Sequence, residues 1–90
     1  MKYREKFKRL SIPNQTIVLN ALQSFRDDLV CYKSISKEEI SNLLIKFFHW
    51  MCVRINHFER NGVLSFSFSA CYDEETNEHW FYKYTYNYGG

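Results

Sequence analysis

Residues 64–88 read LSFSFSACYDEETNEHWFYKYTYNY, and their period decides the fold. Leu64, Phe66, Phe68, Ala70 and Tyr72 alternate with Ser65, Ser67, Ser69 and Cys71, and Trp80, Tyr82, Tyr84, Tyr86 and Tyr88 alternate with His79, Phe81, Lys83, Thr85 and Asn87. A period of two is that of a β-strand with one face buried. The run Asp73 to Asn77 between them is a hairpin loop. Matching the richer apolar set of each strand predicts the pairs Ala70 with Trp80, Phe68 with Tyr82, Phe66 with Tyr84 and Leu64 with Tyr86. A slip of one residue would turn the tyrosine ladder to water. On this reading the tyrosines are core, and Cys71 stands directly opposite His79 on the outer face.

Upstream of Gly62 the period is helical. Ser36-Lys37-Glu38-Glu39 is a capping box, and Ile40, Leu43, Leu44, Phe47, Met51, Ile55 and Phe58 follow at helical spacing. A helix over about 37–60 is predicted, ended by Asn61-Gly62, residues that tolerate left-handed geometry. Val18, Leu22, Phe25, Leu29 and Tyr32 form one stripe of a helix over about 14–32, and the short connection 33–35 makes the two an antiparallel hairpin. Tyr3, Phe7 and Leu10 give a short amphipathic helix over about 2–10, stopped by Pro13. The expected fold is α+β: a short N-terminal helix, an antiparallel helical hairpin, then a C-terminal two-stranded antiparallel β-hairpin packed on the helices, all in one compact domain 1–90. A two-stranded sheet leaves open edges, which predicts homodimerisation or strand addition through the hairpin.

Ninety residues leave no room for a second module, and a composition 46% hydrophobic and 19% aromatic is enough to bury a core. Twelve basic against ten acidic residues give a formal charge of only +2, too weak a field to require nucleic acid. Five of the basic residues, Lys2, Arg4, Lys6, Lys8 and Arg9, precede position 10. The acids gather at Glu38-Glu39 and at Asp73, Glu74, Glu75 and Glu78. Cys31, Cys52 and Cys71 match no disulfide framework and read as reduced thiols. The charged start is unlike a signal peptide and Lys46, His49 and Arg54 interrupt the longest apolar stretch, so a cytoplasmic protein without a membrane partner is expected.

No constellation in the chain reads as a catalytic site or a cofactor box. Cys71 with His79 supplies a thiol and a base but no orienting third group, and with His49 and Cys52 it makes only a weak zinc candidate. Gly62, Gly89 and Gly90 form no phosphate loop. Lys46, Trp50, Arg54 and His57 follow one another along one line of the long helix, and Trp with Arg is the composition of a binding hot spot.

The function expected by elimination is recognition. The chain reads as a small non-enzymatic, protein-binding module, a stoichiometric inhibitor or regulator of a larger protein or nucleoprotein complex that uses Lys46, Trp50, Arg54 and His57. The Phe, Tyr, Met, Ile, Asn and Lys skew is that of an AT-rich coding source, which suits a phage or other mobile element. The alternative is a small RNA- or DNA-binding protein that grips phosphates with Lys2, Arg4, Lys6, Lys8 and Arg9 while bases stack on nearby rings.

Overall fold

The computed structural model describes the backbone of residues 2–85 and the side chains of residues 4–85. The element order is α1 (Lys2–Arg9), α2 (Ile12–Leu29), α3 (Lys37–Arg60), β1 (Phe66–Asp73) and β2 (Glu78–Thr85). This is the α+β arrangement expected, with an antiparallel hairpin laid on the helices. The side chains of Lys2 and Tyr3, and Tyr86 and Tyr88, lie outside the described residues.

The long helix starts and stops as its sequence dictates. The Ser36 hydroxyl accepts the Glu39 amide at 3.1 Å, one half of the capping box. Gly62 takes φ 71° and the Val63 amide donates to the Phe58 carbonyl at 2.9 Å, closing a Schellman turn. Helix α2 starts two residues earlier and ends three residues earlier than its periodicity suggests. Pro13 sits in the first turn, where no N–H is needed, and so lets Ile12 open the helix. Glu59 from the end of α3 accepts both the Ser11 amide at 3.2 Å and the Asn14 side chain at 2.7 Å. A carboxylate there satisfies an orphan donor and complements the positive end of the helix dipole. At the other end the chain tightens: the Cys31 and Tyr32 amides donate back three residues, to Asp28 and Leu29.

Contact of Glu59 with Ser11 and Asn14 at one end, and of Phe25 with Phe47 further along, makes α2 and α3 antiparallel. Between them lies the core, with Val18, Leu29, Phe47, Met51, Cys52 and Ile55 fully buried. Helix α1 closes one side, with Phe7 on Phe48 at 5.3 Å between ring centres and Leu10 buried. On the other side the hairpin lays Phe66 and Phe68 on Phe58, and Phe68 and Phe81 on Trp50.

The strand register differs by one residue from that expected. The pairs are Phe66 with Thr85, Ser67 with Tyr84, Phe68 with Lys83, Ser69 with Tyr82, Ala70 with Phe81, Cys71 with Trp80 and Tyr72 with His79. The inward set of β2 is therefore His79, Phe81, Lys83 and Thr85, and Trp80, Tyr82 and Tyr84 point away from the core. Leu64, expected inside, precedes the strand and is exposed.

The loop sets this register. Asp73 pairs with Glu78 and four residues, Glu74–Asn77, span the turn. The Asp73 carboxylate accepts the Glu75 amide at 3.0 Å, and the Asp73 carbonyl accepts the Asn77 amide at 2.9 Å. Asn77 adopts φ 62°, a conformation Asn tolerates better than most residues. Packing favours the same solution. Phe81 meets Phe25, Phe47 and Trp50 and brings no polar atom inside, whereas each buried tyrosine hydroxyl would need a partner or cost about 1–3 kcal/mol. Lys83, on the inward face, places its ammonium 5.6 Å from the Phe58 ring centre.

Tyr72 ties the hairpin tip to the helices. Its hydroxyl donates to Asn77 Oδ1, its carbonyl accepts the Tyr32 hydroxyl at 3.3 Å, and the two rings meet edge-on at 5.6 Å. Desolvation first, then the charges of Glu39, Glu74 and Asp73, raise its pKa above the ordinary phenol value. A raised folded pKa contributes stability that is complete below the unfolded value and is lost as pH rises through the folded one. Denaturant midpoints measured from pH 8 to 11 should therefore fall above about pH 10, and Tyr72→Phe should flatten that part of the fall. An equal fall in both proteins would remove Tyr72 as its source.

Candidate functional site on the outer sheet face

The register leaves the aromatic side of β2 uncovered. Trp80, Tyr82 and Tyr84 are 42%, 41% and 51% exposed, in line along one strand. Their cross-strand neighbours are Cys71, Ser69 and Ser67, side chains too small to cover a ring. A monomeric surface seldom presents large rings in a row without a use for them. Indole and phenol rings offer flat apolar area with a polar tip, the pairing that binding surfaces favour.

Charge around this face has one sign. Asp73 and Glu78 pair at the tip and share the outward side with Cys71 and Trp80, and Glu74 and Glu75 follow in the loop. Asp28 of α2 lies beside Ser69 at the β1 edge. The two basic side chains of β2, His79 and Lys83, are on the inward side. The arrangement suits an apolar contact flanked by cationic groups, with guanidinium or ammonium stacking on exposed ring faces.

The line expected to form the site is divided. Trp50 is half-buried under the sheet, 5.5 Å from Phe68, 5.6 Å from Phe81 and stacked at 6.2 Å on Phe47. The Arg54 guanidinium lies 5.9 Å from the Trp50 ring centre. His57 is exposed, and the Asn61 amide nitrogen approaches its ring at 3.4 Å while donating to the His57 carbonyl at 2.8 Å. Lys46 lines a separate surface depression with Glu39, Asn42, Tyr72, Asn77 and His79. Trp50 therefore serves packing between α3 and the hairpin.

Of the basic leader, Arg4, Lys8 and Arg9 are exposed and Lys6 is half-buried beside Cys52. Burial raises the Cys52 thiol to about 11, partly offset by the Lys6 charge, so Cys52 is a core thiol with almost no thiolate at neutral pH. Cys31 and Cys71 are exposed. The one-residue shift also separates Cys71 from His79, which now lie on opposite faces of the hairpin. Among the described residues no three metal-ligating side chains converge, and no helix is long and apolar enough to cross a membrane.

Comparison with protein-family models, with curated proteins and with solved structures returns no match to this chain.

Proposed function

We propose that the protein acts by binding another polypeptide on the outer face of its hairpin, with Trp80, Tyr82 and Tyr84 as the contact and Asp73 and Glu78 as the charged flank. The observation that carries this reading is the inversion of β2, which turns its three largest rings to solvent and keeps Phe81 for the core. A partner segment with apolar side chains beside Arg or Lys fits that chemistry. The working form of such a protein, at this size, is a stoichiometric inhibitor or regulator of a larger complex, and the AT-rich coding skew suits a mobile-element origin.

The nucleic-acid reading needs rings and bases on one surface. Phe48, which carries α1, and Trp50, which carries the sheet, are roughly 200° apart around α3 at about 100° per residue. The basic leader and the outward rings consequently occupy opposite sides of that helix, and the rings have acids beside them. Phosphates would meet repulsion where bases would stack.

The test is affinity capture from a host lysate with and without nuclease, with a Trp50→Phe variant whose remaining indole, Trp80, reports contact by fluorescence. The expected result is a stoichiometric protein partner that survives nuclease and shifts Trp80 emission. Release of all bound material by nuclease, or an unchanged Trp80 signal on binding, overturns the proposal.

A further inference from the structure

The second surface that lacks a role lies on the α1 side of the molecule. An open groove of about 460 Å³ runs between α2 and α3, floored by Leu19, Leu22, Leu44, Ile45 and Phe48. Leu19 and Ile45 are each 55% exposed, so the groove is a trough with apolar walls. It exists because the three helices differ in length: α1 has 8 residues, α2 has 18 and α3 has 24. Helix α1 seats on α3 through Phe7 and Phe48, and the apolar strip between the longer helices continues past that contact to Leu44 and Ile45.

The rim of the trough is basic. Arg4 of α1 and Arg26 of α2 both line it, joined by Gln23, and no acid does. Among the described residues neither guanidinium has an ion-pair partner. Two arginines brought together from positions 22 residues apart in sequence, beside five apolar side chains, present a fixed pattern of charge and grease. From Leu19 to Arg26 the groove follows α2 for seven residues, roughly 10 Å or two helical turns.

We infer that this groove receives an acidic amphipathic helix of a partner protein. Apolar side chains of the incoming helix at i, i+3 or i+4, and i+7 occupy the trough, and its Asp or Glu residues on the flanks meet Arg4 and Arg26. A helix fits better than a small amphiphile: pockets for small ligands enclose most of the ligand's surface, whereas this trough is open along its length. The surface is distinct from the outer sheet face and prefers the opposite charge, so the protein has two recognition faces on opposite sides of α3.

A direct test uses a labelled 14-residue amphipathic helical peptide with Leu on one face and Glu on its flanks, alongside a twin in which every Glu is Lys. Fluorescence anisotropy should show the Glu peptide binding at least about tenfold more tightly than its twin. Arg4→Glu with Arg26→Glu should reverse that preference, and Ile45→Ser should weaken both peptides. All three positions are exposed, and unchanged thermal melting would confirm that the variants fold. Trp80→Thr should leave peptide binding unaltered, which separates this result from the fate of the sheet face. Equal affinity for the two peptides, no binding, displacement by a simple fatty acid at similar occupancy, or a groove closed by a second copy in a mass measurement would each overturn the inference.

Discussion

Phe81→Ala is expected to destabilise the protein by about 2–4 kcal/mol, while Tyr82→Ala next to it changes stability by less than about 1 kcal/mol. Phe81 lies 5.0 Å from Phe47, 5.6 Å from Trp50 and 6.4 Å from Phe25, and so joins β2 to both long helices. Truncation removes the transfer energy of the ring and leaves a hole that α2 and α3 cannot close without moving. Tyr82 faces water opposite Ser69 and leaves no hole. For a domain of this size the loss at Phe81 corresponds to a drop in melting temperature of roughly 10–25 °C. Thermal and denaturant melting of the two variants decide between the two registers, because the register with tyrosines inside predicts the opposite order of effects. Phe81→Leu, which keeps much of the volume, should fall between wild type and Phe81→Ala.

That pair of substitutions addresses the one feature of the fold that periodicity leaves open. The helices are legible because each carries chemistry that acts at one position: Ser36 caps α3, and Gly62 ends it in a conformation few other residues accept. The β-hairpin is legible as a hairpin because two period-two runs flank a polar loop. Alternation, however, shows that a strand has two sides and not which side is inside. In β2 both sides carry rings, Trp80, Tyr82 and Tyr84 against Phe81 with His79, and counting apolar groups favours the side that faces water. The deciding signals are smaller. Asn77, just before Glu78, is suited to close a four-residue loop, and Phe81 is the one β2 ring without a polar atom to desolvate.

The same ambiguity governs how much of the site can be read. Once the tyrosines are assigned to the core, the outer face of the hairpin holds Ser65, Ser67, Ser69 and Cys71 opposite His79, Phe81, Lys83 and Thr85, without an indole or a phenol, and Trp50 and Arg54 become the more prominent recognition pair. The fold places Trp50 beneath Phe68 and Phe81 because the sheet needs an aromatic floor on α3. A residue type favoured at binding sites is equally favoured between layers, and only the register separates the two uses. The Arg4 and Arg26 groove has no signature in linear sequence at all. It arises from the length of α1 relative to its neighbours.

The largest functional effect should come from the outward rings. Replacing Trp80, Tyr82 and Tyr84 together with Thr keeps strand propensity and removes the proposed contact. Each ring, if central to an interface, carries on the order of 2 kcal/mol or about thirtyfold in affinity, so the triple variant should lose detectable partner capture. Stability should change far less. Cross-strand pairs with Ser67, Ser69 and Cys71 are worth about 0.2–1 kcal/mol each, and none of the three rings contributes to the buried core. A second variant isolates the charge: Asp73→Asn with Glu78→Gln, which keeps an acceptor for the Glu75 amide, should slow association and reduce its sensitivity to salt, leaving dissociation nearly unchanged. Surface plasmon resonance with the captured partner resolves both rates. Full binding by the triple variant would move the site elsewhere on the molecule. Loss of binding accompanied by a collapse of the melting transition would instead make these rings part of what holds the hairpin on the helices. The physical expectation is loss of binding with melting retained, because exposed rings on an otherwise complete sheet contribute to association what Phe81 contributes to folding: apolar area removed from water when a matching surface arrives.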